Sequence, residues 1–272
     1  MTESPPLPPP EGLCVLHLFY RVERGIWETL DDRQRTAARA ALDALVDETR
    51  EMPGTQLLTF AMLTPKADLG FMLLTPDPGI ALDVEKRLGS VLGAEVISPA
   101  YSYLSMTERS EYTTSEAEYA RTIEQEEGLV AGTPAHAEAV EAWRTRMAKY
   151  LKDRLYPRLP GWPLVCFYPM SKRRGEVKNW FALPFEERKR LMGGHARTGR
   201  KWHGRILQLI TGSTGLDSDE WGVTLLAHEL ADLKGIIYEM RFDPVSADYG
   251  EFGDFFVGLQ LPAGEILRRV GL

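Results

Sequence analysis

The sequence predicts an α+β fold made of two copies of a six-element unit with the order strand, helix, strand, strand, helix, strand. Short runs rich in β-branched and aromatic residues alternate with segments whose apolar residues recur at helical spacing. This order occurs once before residue 107 and again after residue 161. Because it is the order of a ferredoxin-like unit, two such halves are expected, forming either one wide sheet or a barrel-like pair with helices outside.

The chain divides on this basis into four segments. Residues 1–12 are rich in proline and predict an extended arm. Residues 13–107 form the amino-terminal ferredoxin-like half, 108–160 a connection with a long helix, and 161–272 the carboxy-terminal half.

The elements of the first half follow from local pattern. Between Asp31 and Arg50, for example, Ala38, Leu42 and Leu45 fall on one side of a helix. The predicted series is a strand at Leu13–Val22, a helix at Asp31–Arg50, strands at Gln56–Leu63 and Gly70–Leu74, a helix at Ile80–Leu92 and a strand at Val96–Met106.

The connection and the second half are predicted in the same way. Glu108–Thr133 is polar and acidic with some helix, and Ala135–Leu155 has the apolar spacing of an amphipathic helix. The second series is a strand near Leu164, a helix near Glu186, strands at Ile206–Thr211 and Glu220–Leu226, a helix near Ala231 and a strand near Phe255.

Composition excludes several classes of protein. The chain of 272 residues has a net charge of −7 and a pI near 5.4, which disfavours nucleic-acid binding. Its two cysteines, Cys14 and Cys166, provide no disulfide framework and indicate a reducing compartment. Because no apolar stretch is long enough for a membrane span and the first residues lack a secretion signal, we expect a cytoplasmic protein.

The segment Trp162–His203 concentrates the residues suited to chemistry. Strand alternation places Cys166, Tyr168, Met170 and Lys172 on one face, beside a basic cluster. Proline lacks an N–H group, so Pro169 predicts the end or the edge of a sheet.

A helix is predicted to begin at Pro184, with acidic residues in its first turn. Gly193 and Gly194 are expected to loosen its last turn, which places His195 at the end of the helix. A helical histidine beside an apolar cavity suits haem ligation, although lone histidines are more often structural or surface residues.

Two further residues have alternative interpretations. A glutamine on a strand is usually solvated, but Gln208 alternates with Ile206 and Ile210, which predicts a pocket where a buried amide needs a partner. Composition alone favours an ordinary core aromatic at Tyr168.

Linked motifs between residues 164 and 260 identify a family resemblance. They are YPMSKRR at 168–174, NWF at 179–181, LMGGHARTGR at 191–200, QLITGSTGLDSDEWGV at 208–223 and EMRFDPVSADYGEFGDFFVG at 239–258. This part of the chain resembles the coproheme decarboxylases of the chlorite dismutase-like superfamily. The amino-terminal half matches that family only in layout.

The resemblance implies a dimeric α+β barrel, assembled as a homopentamer. It also implies that hydrogen peroxide drives two oxidative decarboxylations of coproheme III (iron-coproporphyrin III), through a monovinyl intermediate, to haem b. This is the last step of coproporphyrin-dependent haem biosynthesis, so contact with a coproporphyrin ferrochelatase is expected. Coproheme would be both the substrate and the redox centre.

The resemblance also assigns roles to individual residues. His195 is the iron ligand, Gln208 lies on the opposite side of the porphyrin, and Tyr168 forms the radical that attacks a propionate. The propionates and ring contact Lys172, Arg154, Ser246 and Met170. Arg154 otherwise caps the long helix, Ser246 begins a turn, and Arg241 is read equally well as a structural salt-bridge residue.

Two other functions stay open at this stage. One is a haem-binding sensor or carrier without decarboxylase activity, and the other is a chlorite dismutase or peroxidase-type haem enzyme. Chlorite dismutases have an arginine in the place of Gln208, so the glutamine argues against chlorite chemistry.

Overall fold

The computed structural model describes residues 11–272, and the predicted arm therefore lies outside the described residues except for its last two positions. The chain forms two compact units. One contains Glu108–Leu159, and the other contains Leu13–Thr107 together with Pro160–Leu272.

The larger unit begins with the predicted series of strands and helices. Asp31 starts the long helix through a capping box, in which it and Gln34 exchange backbone-to-side-chain hydrogen bonds of 2.9 and 2.8 Å. The elements of this half are β1 (Cys14–Val22), α1 (Arg24–Thr29), α2 (Asp32–Glu51), β2 (Gln56–Met62), β3 (Leu69–Thr75), α3 (Pro78–Leu88) and β4 (Ile97–Met106).

The second half of this unit repeats the order. Its elements are β5 (Leu164–Lys172), a 3₁₀ turn (Trp180–Ala182), α6 (Phe185–Arg200), β6 (Ile206–Gly212), β7 (Trp221–Ala227), α7 (Leu230–Met240), α8 (Pro244–Tyr249), β8 (Gly250–Phe252), β9 (Phe256–Gln260) and α9 (Ala263–Arg269). The smaller unit contains α4 (Glu116–Glu126) and α5 (Pro134–Leu155). Helices α1, α8 and α9 and the short strand β8 were not predicted.

The strands close into a barrel. Hydrogen-bonded neighbours follow the order β7-β6-β4-β1-β3-β2-β9-β5-β8, and β5 also pairs with β7. The two halves have the same internal order, β4-β1-β3-β2 and β9-β5-β7-β6, and they join where β4 meets β6 and β2 meets β9. The prediction of a dimeric α+β barrel is therefore confirmed, and the alternative of one open sheet is wrong.

Apolar residues fill both sides of the barrel wall. The helices α2, α3 and α9 cover the first half through residues such as Leu42, Leu88 and Ile266. Aromatic side chains occupy the interior, where Phe19 stacks on Phe256 with ring centroids 4.3 Å apart. Because these side chains pack the interior, a site for a large ligand is expected on the outer face of the barrel.

Two local predictions are wrong. Helix α6 continues to Arg200, so His195 lies inside the helix rather than at its end. Pro169 lies within β5, which pairs with β7 on one side and with β8 and β9 on the other. The missing N–H falls where β9 ends and β8 begins, and the Pro169 carbonyl accepts a 2.9 Å hydrogen bond from Gly253 there.

The smaller unit contains the predicted long helix. Trp143 of α5 stacks on Tyr119 of α4 with ring centroids 5.2 Å apart, and Arg144 pairs with Glu116 at 2.8 Å. Most of the apolar positions of α5 are only half-buried, although Leu155 is fully buried.

Candidate functional site

Strand β5 presents alternate side chains to opposite sides of the barrel wall. Cys166, Tyr168 and Met170 belong to the apolar cluster under α7, whereas Phe167 belongs to the interior cluster. The predicted alternation therefore holds through the proline, and Tyr168 lies on the outer, helix-covered face.

His195 is oriented by a buried carboxylate. Its Nδ1 lies 2.5 Å from Oδ2 of Asp243, the residue before α8, and the Asp243 side chain is only 5% exposed. An ionised carboxylate can only accept hydrogen bonds, so Nδ1–H donates and the lone pair of Nε2 is left for a metal. This carboxylate–imidazole pair is the arrangement that typically orients a histidine ligand.

Lys172 is a buried cation next to this pair. Its side chain is 7% exposed, and Nζ lies 5.1 Å from the centroid of the Trp180 ring. Burial lowers the pKa of Lys172 to about 8, and the negative charges of Asp243 and Glu220 oppose that change. The site thus holds a desolvated ammonium group within the field of the carboxylate that orients His195.

Tyr168 is a buried phenol surrounded by aromatic rings. Its ring centroid lies 4.6 Å from that of Phe255 and 5.8 Å from that of Phe252. Burial raises the pKa of Tyr168 well above its ordinary value. The side chain is therefore a neutral phenol across the physiological range.

The remaining predicted residues of the barrel unit have different surroundings. The Gln208 side chain is exposed, which contradicts the predicted buried amide, and its Nε2 donates a long 3.4 Å hydrogen bond to the Gly199 carbonyl in α6. Met170 is half-buried at the edge of the apolar cluster. Ser246 lies inside α8 and its N–H donates to the Asp243 carbonyl at 3.0 Å.

Arg154 belongs to the smaller unit. Its Nε donates a 2.7 Å hydrogen bond to the carbonyl of Glu108, which tethers the end of α5 to the start of that unit. This bond replaces the helix-capping role considered above.

Sequence reasoning missed Asp243 and Trp180 as parts of the site. The dipeptide Asp243-Pro244 signals a helix start, but the contact with His195 joins residues 48 positions apart and has no local signature. Arg241 was considered as a salt-bridge residue, yet it is exposed and forms no ion pair with the described residues of the barrel unit.

No helix within residues 11–272 is both long enough and apolar enough to cross a lipid bilayer.

The protein is thus a dimeric α+β barrel whose outer face carries a carboxylate-oriented imidazole, a buried lysine and a buried phenol. The sequence model of the chlorite dismutase family matches residues 35–261, and the chain belongs to that family.

Similar proteins agree with this membership. A relative from Natronomonas pharaonis, provisionally named a heme-binding protein, is 37% identical over 260 residues, which are 94% of this chain and 40% of the relative. The chain thus spans well under half of that relative's length.

Solved structures share the fold. A heme-binding protein from Thermus thermophilus is 37% identical, with a TM-score of 0.79 over 98% of this chain and 99% of the other. A variant of chlorite dismutase from Candidatus Nitrospira defluvii is 18% identical, with a TM-score of 0.71 over 96% of each chain, a likeness that concerns the fold alone.

Proposed function

We propose that the protein converts coproheme III to haem b by two hydrogen peroxide-dependent oxidative decarboxylations. The observation that supports this most directly is the buried phenol of Tyr168 on the same strand as the buried ammonium of Lys172. A protein that only stores haem needs neither a desolvated cation nor an oxidisable side chain at this place. A decarboxylase needs both, one to hold a propionate and the other to oxidise it.

His195 suits the role of the single protein ligand to the porphyrin iron. Its Nδ1 is occupied by Asp243, so Nε2 is the coordinating atom. When bound, the iron of coproheme would supply oxidising equivalents together with peroxide. The side of the porphyrin that His195 does not occupy would face Gln208, whose neutral amide offers hydrogen bonds but no charge.

Tyr168 would transfer oxidation from the porphyrin centre to the substrate side chain. The phenol gives up one electron and one proton, and the resulting radical takes a hydrogen atom from a propionate, which restores the phenol. Loss of a second electron and of carbon dioxide leaves a vinyl group. Each propionate thus consumes one hydrogen peroxide and one proton and yields a vinyl group, one carbon dioxide and two waters.

Basic and polar residues would hold the carboxylates in register during these steps. Lys172 is the strongest candidate because a buried cation gains most from a carboxylate partner. Ser246 and Arg154 are proposed to contact further propionates, and Met170 to pack against the ring. The homopentamer, the contact with a coproporphyrin ferrochelatase and the cytoplasmic location stay predictions of the family resemblance.

Haem binding without decarboxylation is the second candidate, because the two relatives at 37% identity bear names that describe haem binding. Mass spectrometry after mixing the protein with coproheme and peroxide separates the two functions. Loss of two carboxyl groups supports the enzyme, whereas bleaching without vinyl products supports the binder.

The Tyr168→Phe variant tests the residue assignment. It keeps the buried ring and should bind coproheme as the unaltered protein does, yet release at least a hundredfold less product. Tyr249→Phe, a change at another buried tyrosine of the same half, is the matched control. Normal turnover by Tyr168→Phe would refute the radical role.

A further inference from the structure

A cavity opens on the outer face of the barrel, beside the helix α7. It has a volume of about 370 Å³ and lies against β5 and β9. Its lining includes Cys166, Leu233, Ile237, Phe255 and Val257. A cavity of this volume lies within the range of small-molecule sites.

This cavity is on the side of α7 that faces away from α6. The opposite side of α7 contacts Trp202, which follows α6, through Gly235 and through a 2.8 Å hydrogen bond from its indole N–H to Glu239. His195 belongs to α6, so the helix α7 lies between the cavity and the imidazole. The cavity does adjoin Tyr168, because Phe255 in its lining packs against the Tyr168 ring with centroids 4.6 Å apart.

Charge is divided between these two sides of α7. Asp232 pairs with Arg205 at 3.3 Å and Glu239 pairs with Lys201 at 2.7 Å, both on the α6 side. Lys234 and Arg241 are on the cavity side instead, where they contribute mainly their alkyl stems to an apolar lining. Neither forms an ion pair with the described residues of the barrel unit. In a chain with a net charge of −7, two unpaired cations at an apolar cavity favour an anionic ligand.

The surroundings of the cavity are also apolar. Leu230 and Tyr238, which line it, are 55% and 58% exposed, and Phe242 nearby is 71% exposed. Exposed apolar side chains around a cationic rim suit a ligand with one charged end and a hydrocarbon body.

We propose that this cavity binds a free alkyl monocarboxylate of roughly ten to twelve carbons, at a site beside that of the porphyrin and on the other side of α7 from His195. A hydrocarbon of this length is of the size that cavities in this volume range accommodate. The hydrocarbon packs against Leu233, Ile237 and Val257, and the carboxylate accepts hydrogen bonds from Lys234 and Arg241. This site does not depend on the function proposed above.

Calorimetric titration of the full chain with dodecanoate, below its micelle concentration, tests the proposal. We expect one binding site per chain, which the double substitution Lys234→Gln with Arg241→Gln weakens at least tenfold. Ile237→Trp fills the cavity and should abolish binding while the haem titration, followed at the Soret band, stays unchanged. Dodecanol, which has no charge, should bind the unaltered protein and the double variant equally.

Three results would overturn the proposal. They are equal dodecanoate affinity in the double variant, unchanged affinity in Ile237→Trp, and displacement of dodecanoate by haem one for one, which would make the cavity a part of the porphyrin site. If thermal unfolding shows that Ile237→Trp is not folded, Val257→Phe fills the same space with less added volume and replaces it. Haem binding by that variant reports on the porphyrin site independently. The outcome for dodecanoate therefore does not decide the decarboxylase proposal.

Discussion

Replacing the buried lysine of the site should make the ligand-free protein more stable. The pKa of Lys172 falls from its ordinary 10.5 to about 8 on folding. Since one pH unit corresponds to ~1.4 kcal/mol, keeping the ammonium charged in the fold costs about 3 kcal/mol at pH 7. Methionine has a similar length and no charge, so Lys172→Met should increase the free energy of unfolding by about 2 to 3 kcal/mol.

The stability difference between Lys172→Met and the unaltered protein should depend on pH in a defined direction. Between pH 8 and pH 10.5 the unfolded chain binds the lysine proton and the folded chain does not, so the unaltered protein gains stability as the pH rises. The advantage of Lys172→Met should therefore be full below pH 8, shrink above it and vanish near pH 10.5. Urea unfolding of both proteins at pH 7 and at pH 9.5 measures this.

The matched control is Lys178→Met, because Lys178 is an exposed lysine of the same half that pairs with Asp248. It should leave the free energy of unfolding nearly unchanged, because an exposed ion pair contributes little to stability. If Lys172→Met is no more stable than the unaltered protein at pH 7, or if its advantage grows with pH, the buried-charge account of Lys172 is wrong.

Three other outcomes are expected. Lys172→Met should weaken binding of metal-free coproporphyrin by roughly ten- to a hundredfold, since a charge-assisted hydrogen bond contributes ~1.5–3 kcal/mol. Fluorescence titration measures this affinity. An unchanged affinity would show that Lys172 does not contact the porphyrin. Asp243→Asn should weaken haem affinity by about ten- to a hundredfold and lower the frequency of the iron–histidine vibration in Raman spectra, whereas an unshifted vibration would contradict the orienting role of Asp243. Burial lowers the pKa of His17 to about 3, so the unfolded chain alone binds this proton between pH 6.5 and pH 3 and stability should fall as the pH falls through that range. His17→Met should lose part of that acid sensitivity. If the urea midpoint falls by the same amount from pH 7 to pH 4 in both proteins, this prediction is wrong.

Much of the fold was predictable because apolar residues recur at different spacings in strands and in helices. The prediction of helix α2, for example, differed from the structure by one residue at each end. The short elements α8 and β8 escaped because six or three residues are too few for a periodic pattern.

The end of helix α6 was mispredicted for an energetic reason. Two successive glycines cost a helix ~1 kcal/mol each, which suggested a stop at His195. The helix continues because Arg197 and Arg200 in its last turn interact favourably with the helix dipole and because Gly199 packs against Gln208 and Met240. Tertiary contacts of this kind override local propensity and are not visible in the segment itself.

The site was predictable only in part. Tyr168, Lys172 and His195 could be singled out by residue type and motif. The burial of Lys172 and its proximity to Asp243 depend on segments about 70 residues apart, so no local pattern indicates them. Gln208 illustrates the converse error, since apolar neighbours on a strand did not bury its amide.

The internal duplication of the barrel has a consequence for how the protein tolerates change. Helix α9, the last element of the chain, packs on the first half beside α2 and completes an apolar layer there, with Ile266 and Leu267 fully buried. The equivalent face of the second half contains the buried ammonium of Lys172 and the buried carboxylate of Asp243, and the desolvation of such charges lowers the stability of a core. The first repeat thus contributes more to the stability of the fold than the second. Substitutions in its core should lower the amount of folded protein in the cell before they change the activity of the site.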